Sequence, residues 1–290
     1  WQGALYRTAP MQNHQLSISG GTENVKYYVS GGYLNQDGIV VNSGYKRYSF
    51  RSNVNATFNK WLSGGVILSL LKDDGKSPYF GGDSPSGALL NTTGSILLVP
   101  RWGAVVPIYD ADGNYSRHPA GGWGPYDSWN PMASAKEIDP HNTNLSGTMN
   151  AHFDAKFLND FTFSITAIGS NNIAKSSNFY NEKTKEGLPS GGKAGYGIVS
   201  NYETMYTQGS ASLAYDKTFS NSHINIIAVS EQSETQYSSS GLEASKFIST
   251  ETGLNDLAGA ASVQVKSFAS KRVLRSYLSR LNYSLLDKYL

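Results

Sequence analysis

The chain contains no cysteine. That excludes a disulfide scaffold and any thiolate-based metal or catalytic site. Charged residues make up only 16% of its 290 residues, against ~25% in soluble domains. The 24 basic and 22 acidic residues nearly cancel. Lys and Arg are scattered rather than clustered, so no nucleic-acid footprint exists. No apolar run approaches the ~18 residues that a spanning helix requires, and the mean hydropathy is −0.37. A membrane barrel escapes both tests, because only alternate residues of its strands face lipid. The start at Trp1 shows no initiator Met and no signal-peptide pattern. Lys288-Tyr289-Leu290 reads as the opening of another strand, so both ends are expected to be cuts.

What is abundant points to strands and turns. Aromatics reach 12%, with 19 Tyr, and there are 30 Gly. Tyr, Thr and Val favour strands, whereas Gly and Asn favour turns. Period-2 alternation, the mark of a strand with two unlike faces, is clean in three places. In 47–58, Tyr48, Phe50, Val54, Ala56 and Phe58 alternate with Arg47, Ser49, Arg51, Asn53, Asn55 and Thr57. In 145–157, Leu145, Met149, Ala151, Phe153 and Phe157 alternate with Ser146, Thr148, Asn150, His152, Asp154 and Lys156. In 161–169, Phe161, Phe163, Ile165 and Ala167 alternate with Thr162, Ser164 and Thr166. Weaker strands are expected at 12–20, 25–35, 62–72, 199–216, 223–236 and 272–286.

The connections between these strands are 21–24, 36–46, 59–61, 73–144, 158–160, 170–198, 217–222, 237–271 and 287–288. Short and long alternate throughout, as tight periplasmic turns and long external loops do in outer-membrane barrels. The fold class expected is therefore all-β, an antiparallel transmembrane β-barrel segment of about nine strands with long extracellular loops. Within the long external loop 73–144, a short helix is expected at 86–99, ended by Pro100.

Several segments resemble the SusC/RagA family of TonB-linked outer-membrane transporters. These are His14-Gln15-Leu16-Ser17-Ile18-Ser19-Gly20-Gly21 and the run from Tyr27 to Val40, with Tyr48-Ser49-Phe50-Arg51-Ser52-Asn53 and Asn59-Lys60-Trp61-Leu62. His223-Ile224-Asn225, Arg280-Leu281-Asn282-Tyr283-Ser284 and Asp287-Lys288-Tyr289-Leu290 also fit. The likeness runs the whole chain and is densest over 11–65. One departure is Gly3-Ala4, where the family usually carries acidic residues after its first Trp. The resemblance implies a partial barrel domain over 1–290, with the plug domain and later strands lying outside it. It also implies import of oligosaccharide or peptide across the outer membrane of a Gram-negative bacterium. The implied partners are a SusD-like lipoprotein, TonB acting through the plug, and outer-membrane lipid. No enzyme activity, cofactor or nucleic acid is implied. The alternatives are a surface-exposed carbohydrate-binding β-protein without transport activity, and a polysaccharide-degrading β-enzyme.

The candidate substrate-binding residues are Trp102, Tyr109, Trp123, Tyr126 and Trp129 in the long loop. Aromatic faces stack on sugars and apolar side chains; the competing role is to pack the loop together. Tyr27, Tyr28, Tyr33, Tyr48 and Tyr283 fit an interfacial girdle or the sheet surface. Asp110-Ala111-Asp112-Gly113-Asn114 has fragments of a calcium loop but not the distant Glu, so an Asp-Gly turn is expected. His118, His141, His152 and His223 lack metal-ligand spacing. No nucleophile elbow is present, so neither catalytic nor metal-ligating residues are expected. Gly31-Gly32 and Gly64-Gly65 lie inside strands and mark bends or close approach.

Overall fold

The computed structural model describes residues 1–77, 106–116 and 130–285. Nine antiparallel strands form one sheet in strict chain order. They are β1 Met11–Gly21, β2 Val25–Asp37, β3 Gly44–Thr57, β4 Leu62–Lys76, β5 Ile138–Phe157, β6 Phe161–Tyr180, β7 Ala194–Phe219, β8 Ser222–Phe247 and β9 Ala260–Leu285. Each expected strand is present. At one end of the sheet the strands are joined by tight turns, with Leu158, Asn159 and Ser220 in left-handed conformation. At the other end lie the long connections and two short helices, α1 Gln2–Leu5 and α2 Pro131–Glu137. The expected helix at 86–99 lies outside the described residues.

The register places every strongly alternating residue on a common face. Tyr27 pairs with Val54, Val54 with Val66, Val66 with Ala151 and Ala151 with Ala167. One step along, Gly64 pairs with Phe153 and Phe153 with Ile165. The opposite face carries Asn53, Asn55, Asn150, His152, Thr166, Gln208 and Glu231. Because strand side chains alternate, this register separates an apolar face from a polar one.

Among the described residues, nothing covers the apolar face. Met149 and Phe153, in the middle of the sheet, are 48% and 49% exposed. A contiguous apolar surface of this extent is stable only against another apolar medium. Among the described residues, buried hydrophobic residues form two small clusters, both at the loop end: Leu5, Val40, Met132 and Ala135, and Phe179, Ala244 and Phe247.

The apolar band does not follow the hydrogen-bonded rows. From Ile18 a row runs through Val29, Ser52, Leu68, Met149, Gly169, Thr207 and Glu234 to Val273. By β7 and β8 that row has left the band, whose members there are Leu213, Tyr215, Ile224 and Ile226, nearer the turns. This drift is the stagger that closing a barrel from tilted strands requires. Tyr27, Tyr33, Tyr48 and Tyr283 lie on the band's face, whereas Tyr28 pairs with Asn53 on the polar one.

The glycine pairs behave differently. A Cβ on Gly64 would sit 2.7 Å from His152 O, and one on Gly65 would sit 2.3 Å from Asn55 Oδ1. Gly32 would meet Ser49 Oγ at 2.6 Å, but Gly31 has only a backbone oxygen at 3.9 Å. Close approach therefore explains three of these four positions.

Candidate functional site

The loop end carries a compact cap assembled from distant parts of the sequence. Its organiser is Asn130, which is 1% exposed. Its side-chain oxygen accepts from Met132 N at 2.9 Å, capping α2, and Pro131 occupies the first helical turn. Its Nδ2 donates to Ile108 O (2.9 Å) and Ser116 O (3.0 Å), so one side chain ties α2 to the 108–116 hairpin. Trp1 Nε1 donates to Val106 O at 2.9 Å, and Asn42 Nδ2 donates to Ile138 O at 2.7 Å. Leu5, Val40 and Met132 fill the space between these segments.

The hairpin turns at Asp110–Asn114. Asp110 Oδ1 accepts from Asp112 N (3.0 Å) and Asn114 N (2.8 Å), and Gly113 has φ +83°. Asp110 is thus occupied by its own turn, as an Asp-Gly turn requires. Tyr109 and Tyr115 face each other across the hairpin with ring centroids 5.1 Å apart. Lys136 Nζ lies 3.3 Å from the Tyr109 hydroxyl.

Beside the hairpin opens a cleft of about 730 Å³, lined by Tyr109, Asp110, Asn114, Tyr115, Glu137 and Glu182 among others. Glu137 Oε1 accepts from Tyr115 OH and its Oε2 from Asn181 Nδ2, both at 2.7 Å, with Lys183 Nζ at 3.8 Å. Burial first, and then the hydrogen bond to Glu137, push the Tyr115 phenol well above its ordinary value. Glu182 accepts the Thr250 hydroxyl, and that bond holds its carboxyl below the usual range. The cleft thus offers aromatic faces, amides and fixed carboxylates, a set suited to binding a polar organic ligand.

Of the five expected contact residues, Tyr109 lines this cleft and is 42% exposed. Trp102, Trp123, Tyr126 and Trp129 lie outside the described residues. Sequence reasoning missed Tyr115, Asn130, Glu137 and Glu182. The Asn130-Pro131 pair was a legible helix start, but no sequence signal joins Glu137 to Asn181 or Glu182 to Thr250. The described histidines are dispersed: His141 lies 3.7 Å from Asp74, His152 3.9 Å from Asp154 and His223 3.0 Å from Asp216. Among the described residues, no three metal-ligating side chains converge.

No family model matches the chain. Over 100% of its length it is 28% identical to TonB-dependent receptor P3 of Formosa agariphila, covering 28% of that protein. It is 25% identical to TonB-dependent receptor SusC of Bacteroides thetaiotaomicron, again over 100% of the chain and 29% of the relative. Its fold is similar to a RagAB peptide transporter structure, with TM-score 0.77 and 20% identity, over 99% of this chain and 31% of that one. The ferric citrate transporter FecA matches with TM-score 0.56 and 10% identity, over 96% of this chain and 33% of that chain. The chain spans less than a third of the length of the relatives P3 and SusC.

A single staggered sheet with one lipid-type face and one polar face is the wall of an outer-membrane β-barrel. Within that class, the chain is similar along its whole length to TonB-dependent receptors, SusC among them, and it shares the fold of a RagAB barrel segment. Such proteins are outer-membrane receptors of Gram-negative bacteria, not enzymes.

Proposed function

We propose that the complete protein carrying this segment imports oligosaccharides or peptides across the outer membrane. A SusD-like lipoprotein lids its external mouth, and TonB acts through a plug inside the barrel. The observation that carries the reading is the similarity to SusC, which extends over the whole length of the chain. The RagAB neighbour, a peptide transporter by name, favours keeping peptides beside glycans as cargo. The long loop, with Trp102, Tyr109, Trp123, Tyr126 and Trp129, contributes to substrate or lid contact. Long loops on a rigid scaffold are where binding groups concentrate.

Deleting the native gene tests this. Growth should fail on one class of oligosaccharide or peptide as sole nutrient, and a surface lipoprotein should co-purify with the tagged complete protein in detergent. Normal growth on every glycan and peptide, with retained binding of carbohydrate to the cell surface, would instead identify a binding protein without transport.

A further inference from the structure

The polar face of β7, β8 and β9 carries a hollow of about 300 Å³, well loopward of Leu213 and Tyr215. Two rings wall it. Tyr202 on β7 pairs with Ser239 on β8, and Ser239 pairs with Phe268 on β9, so one row holds a ring, a hydroxyl and a ring. The next row loopward runs Ser200–Gly241–Lys266. These positions share the parity of Gln208 and Glu231 and so face the polar side. Tyr202 is 43% exposed and Phe268 is 60% exposed. Tyr237 props the Phe268 ring, with centroids 6.0 Å apart.

Two strand spacings, about 9.5 Å, separate the backbones that carry the two rings. With van der Waals contact at about 4 Å on either side, the gap admits one more ring. The floor is bare, because a Cβ on Gly241 would meet nothing nearer than Val199 O at 3.9 Å. No neighbour demands glycine there; what glycine supplies is space. Glu243 and Lys266 close the loopward end. Lys266 Nζ lies 3.0 Å from Glu243 Oε1, and Tyr196 OH donates to Oε2 at 3.2 Å. A carboxylate and an ammonium thus stand side by side with no net charge. On the polar face of these strands, the next charged groups turnward, Arg272 and Glu231, lie two rows away or more.

We propose that this hollow is a subsite for an uncharged sugar ring, held between Tyr202 and Phe268 and hydrogen-bonded by Ser239, Glu243 and Lys266. The C–H faces of a pyranose stack on aromatic rings, while its hydroxyls donate to the carboxylate and accept from the ammonium. A few polar groups in an aromatic-walled pocket fix a ligand's orientation. A peptide fits this chemistry less well. Its charged groups find only an ion pair already neutralised. β7 and β8 are paired on both edges, so neither offers its backbone a ladder.

The inference rests on the import reading and selects oligosaccharide as the cargo. The complete protein, purified in detergent, is titrated calorimetrically with neutral hexasaccharides of glucose, mannose, galactose and xylose, and with an uncharged, end-blocked hexapeptide. At least one hexasaccharide should bind. Tyr202→Ala and Phe268→Ala should each weaken it by about tenfold or more, and Thr204→Ala, outside the hollow, should not. Where either ring variant fails to fold, Gly241→Val fills the floor with a strand-favouring side chain and should abolish binding. Saccharide affinity that survives all three changes overturns the subsite, as does binding of the hexapeptide alone or of no saccharide. Uptake of the same probes, fluorescently labelled, by cells producing the complete protein tests the underlying reading separately. Uptake that persists in the three variants would sink the subsite and leave import standing. Saccharide binding that the variants abolish, with no uptake of any probe by the unaltered protein, would keep the subsite and refute import.

Discussion

Glu137 closes a seven-residue helix, yet its bonds run to a hairpin 22 residues earlier and a loop 44 residues later. Tyr115→Phe removes one of its donors and leaves the carboxylate less satisfied. The expected cost is ~1–3 kcal/mol, confined to the cap. Amide exchange should quicken in 106–116 and 131–137 and stay unchanged in the sheet; uniform protection in the variant would contradict this. Glu182 supplies a pH test. Its folded value lies below the ordinary 4.5. Its stabilisation is therefore complete above that pH and fades as pH falls through the lowered folded value. Exchange in the 248–259 loop should accelerate over that acid range, and Thr250→Val should flatten the dependence while loosening the loop at neutral pH. Identical acid profiles for the two proteins would remove Glu182 from this role. None of these partnerships shows in the sequence, because each joins residues whose spacing has no local periodicity.

The strands show where sequence reasoning succeeds and where it stops. At the turn end it places β2, β4, β5 and β6 to the residue, at Val25, Leu62, Phe157 and Phe161. At the loop end the strands run further than alternation indicates. β6 continues from the expected 169 to Tyr180, β8 from 236 to Phe247, and β9 begins at Ala260 instead of 272. β4 and β5 likewise extend to Lys76 and from Ile138. The added stretches include Asn171, Asn172, Ser176 and Ser177 on β6 and Ser238, Ser239 and Ser240 on β8. Both faces are polar there, so no period-2 signal remains; only the ladder with neighbouring strands keeps them extended. Within the band, Val54→Arg or Met149→Arg should cost ~2–4 kcal/mol near the bilayer midplane. Asn53→Arg, one residue away on the polar face, is the control and should be nearly neutral. The measurement is folding of the complete protein into lipid vesicles, and equal yields for all three would sink the face assignment.

At the scale of the molecule, the described residues form an open meander, in which β1 pairs with β2 alone and β9 with β8 alone. Open strand edges in hydrocarbon leave backbone groups unpaired, which lipid does not tolerate. The 290-residue polypeptide alone should therefore form no discrete pore in vesicles; reproducible single-channel conductance would overturn that expectation. The cap behaves as a separate stratum, held by Leu5, Val40 and Met132 rather than by the sheet's own faces.

The sequence by itself determined the strand count, the two faces and the alternation of short and long connections. Those properties are written in local periodicity, which lipid on one side and water on the other impose on each strand separately. The tertiary structure alone decided the stagger that tilts the apolar band across the rows, since it depends on pairing between strands. It also decided the convergence of Tyr109, Tyr115, Glu137 and Glu182 on one cleft. That cleft draws on segments from 109 to 182 in the chain, brought together only once β4, β5 and β6 have paired and their loops share one end of the sheet.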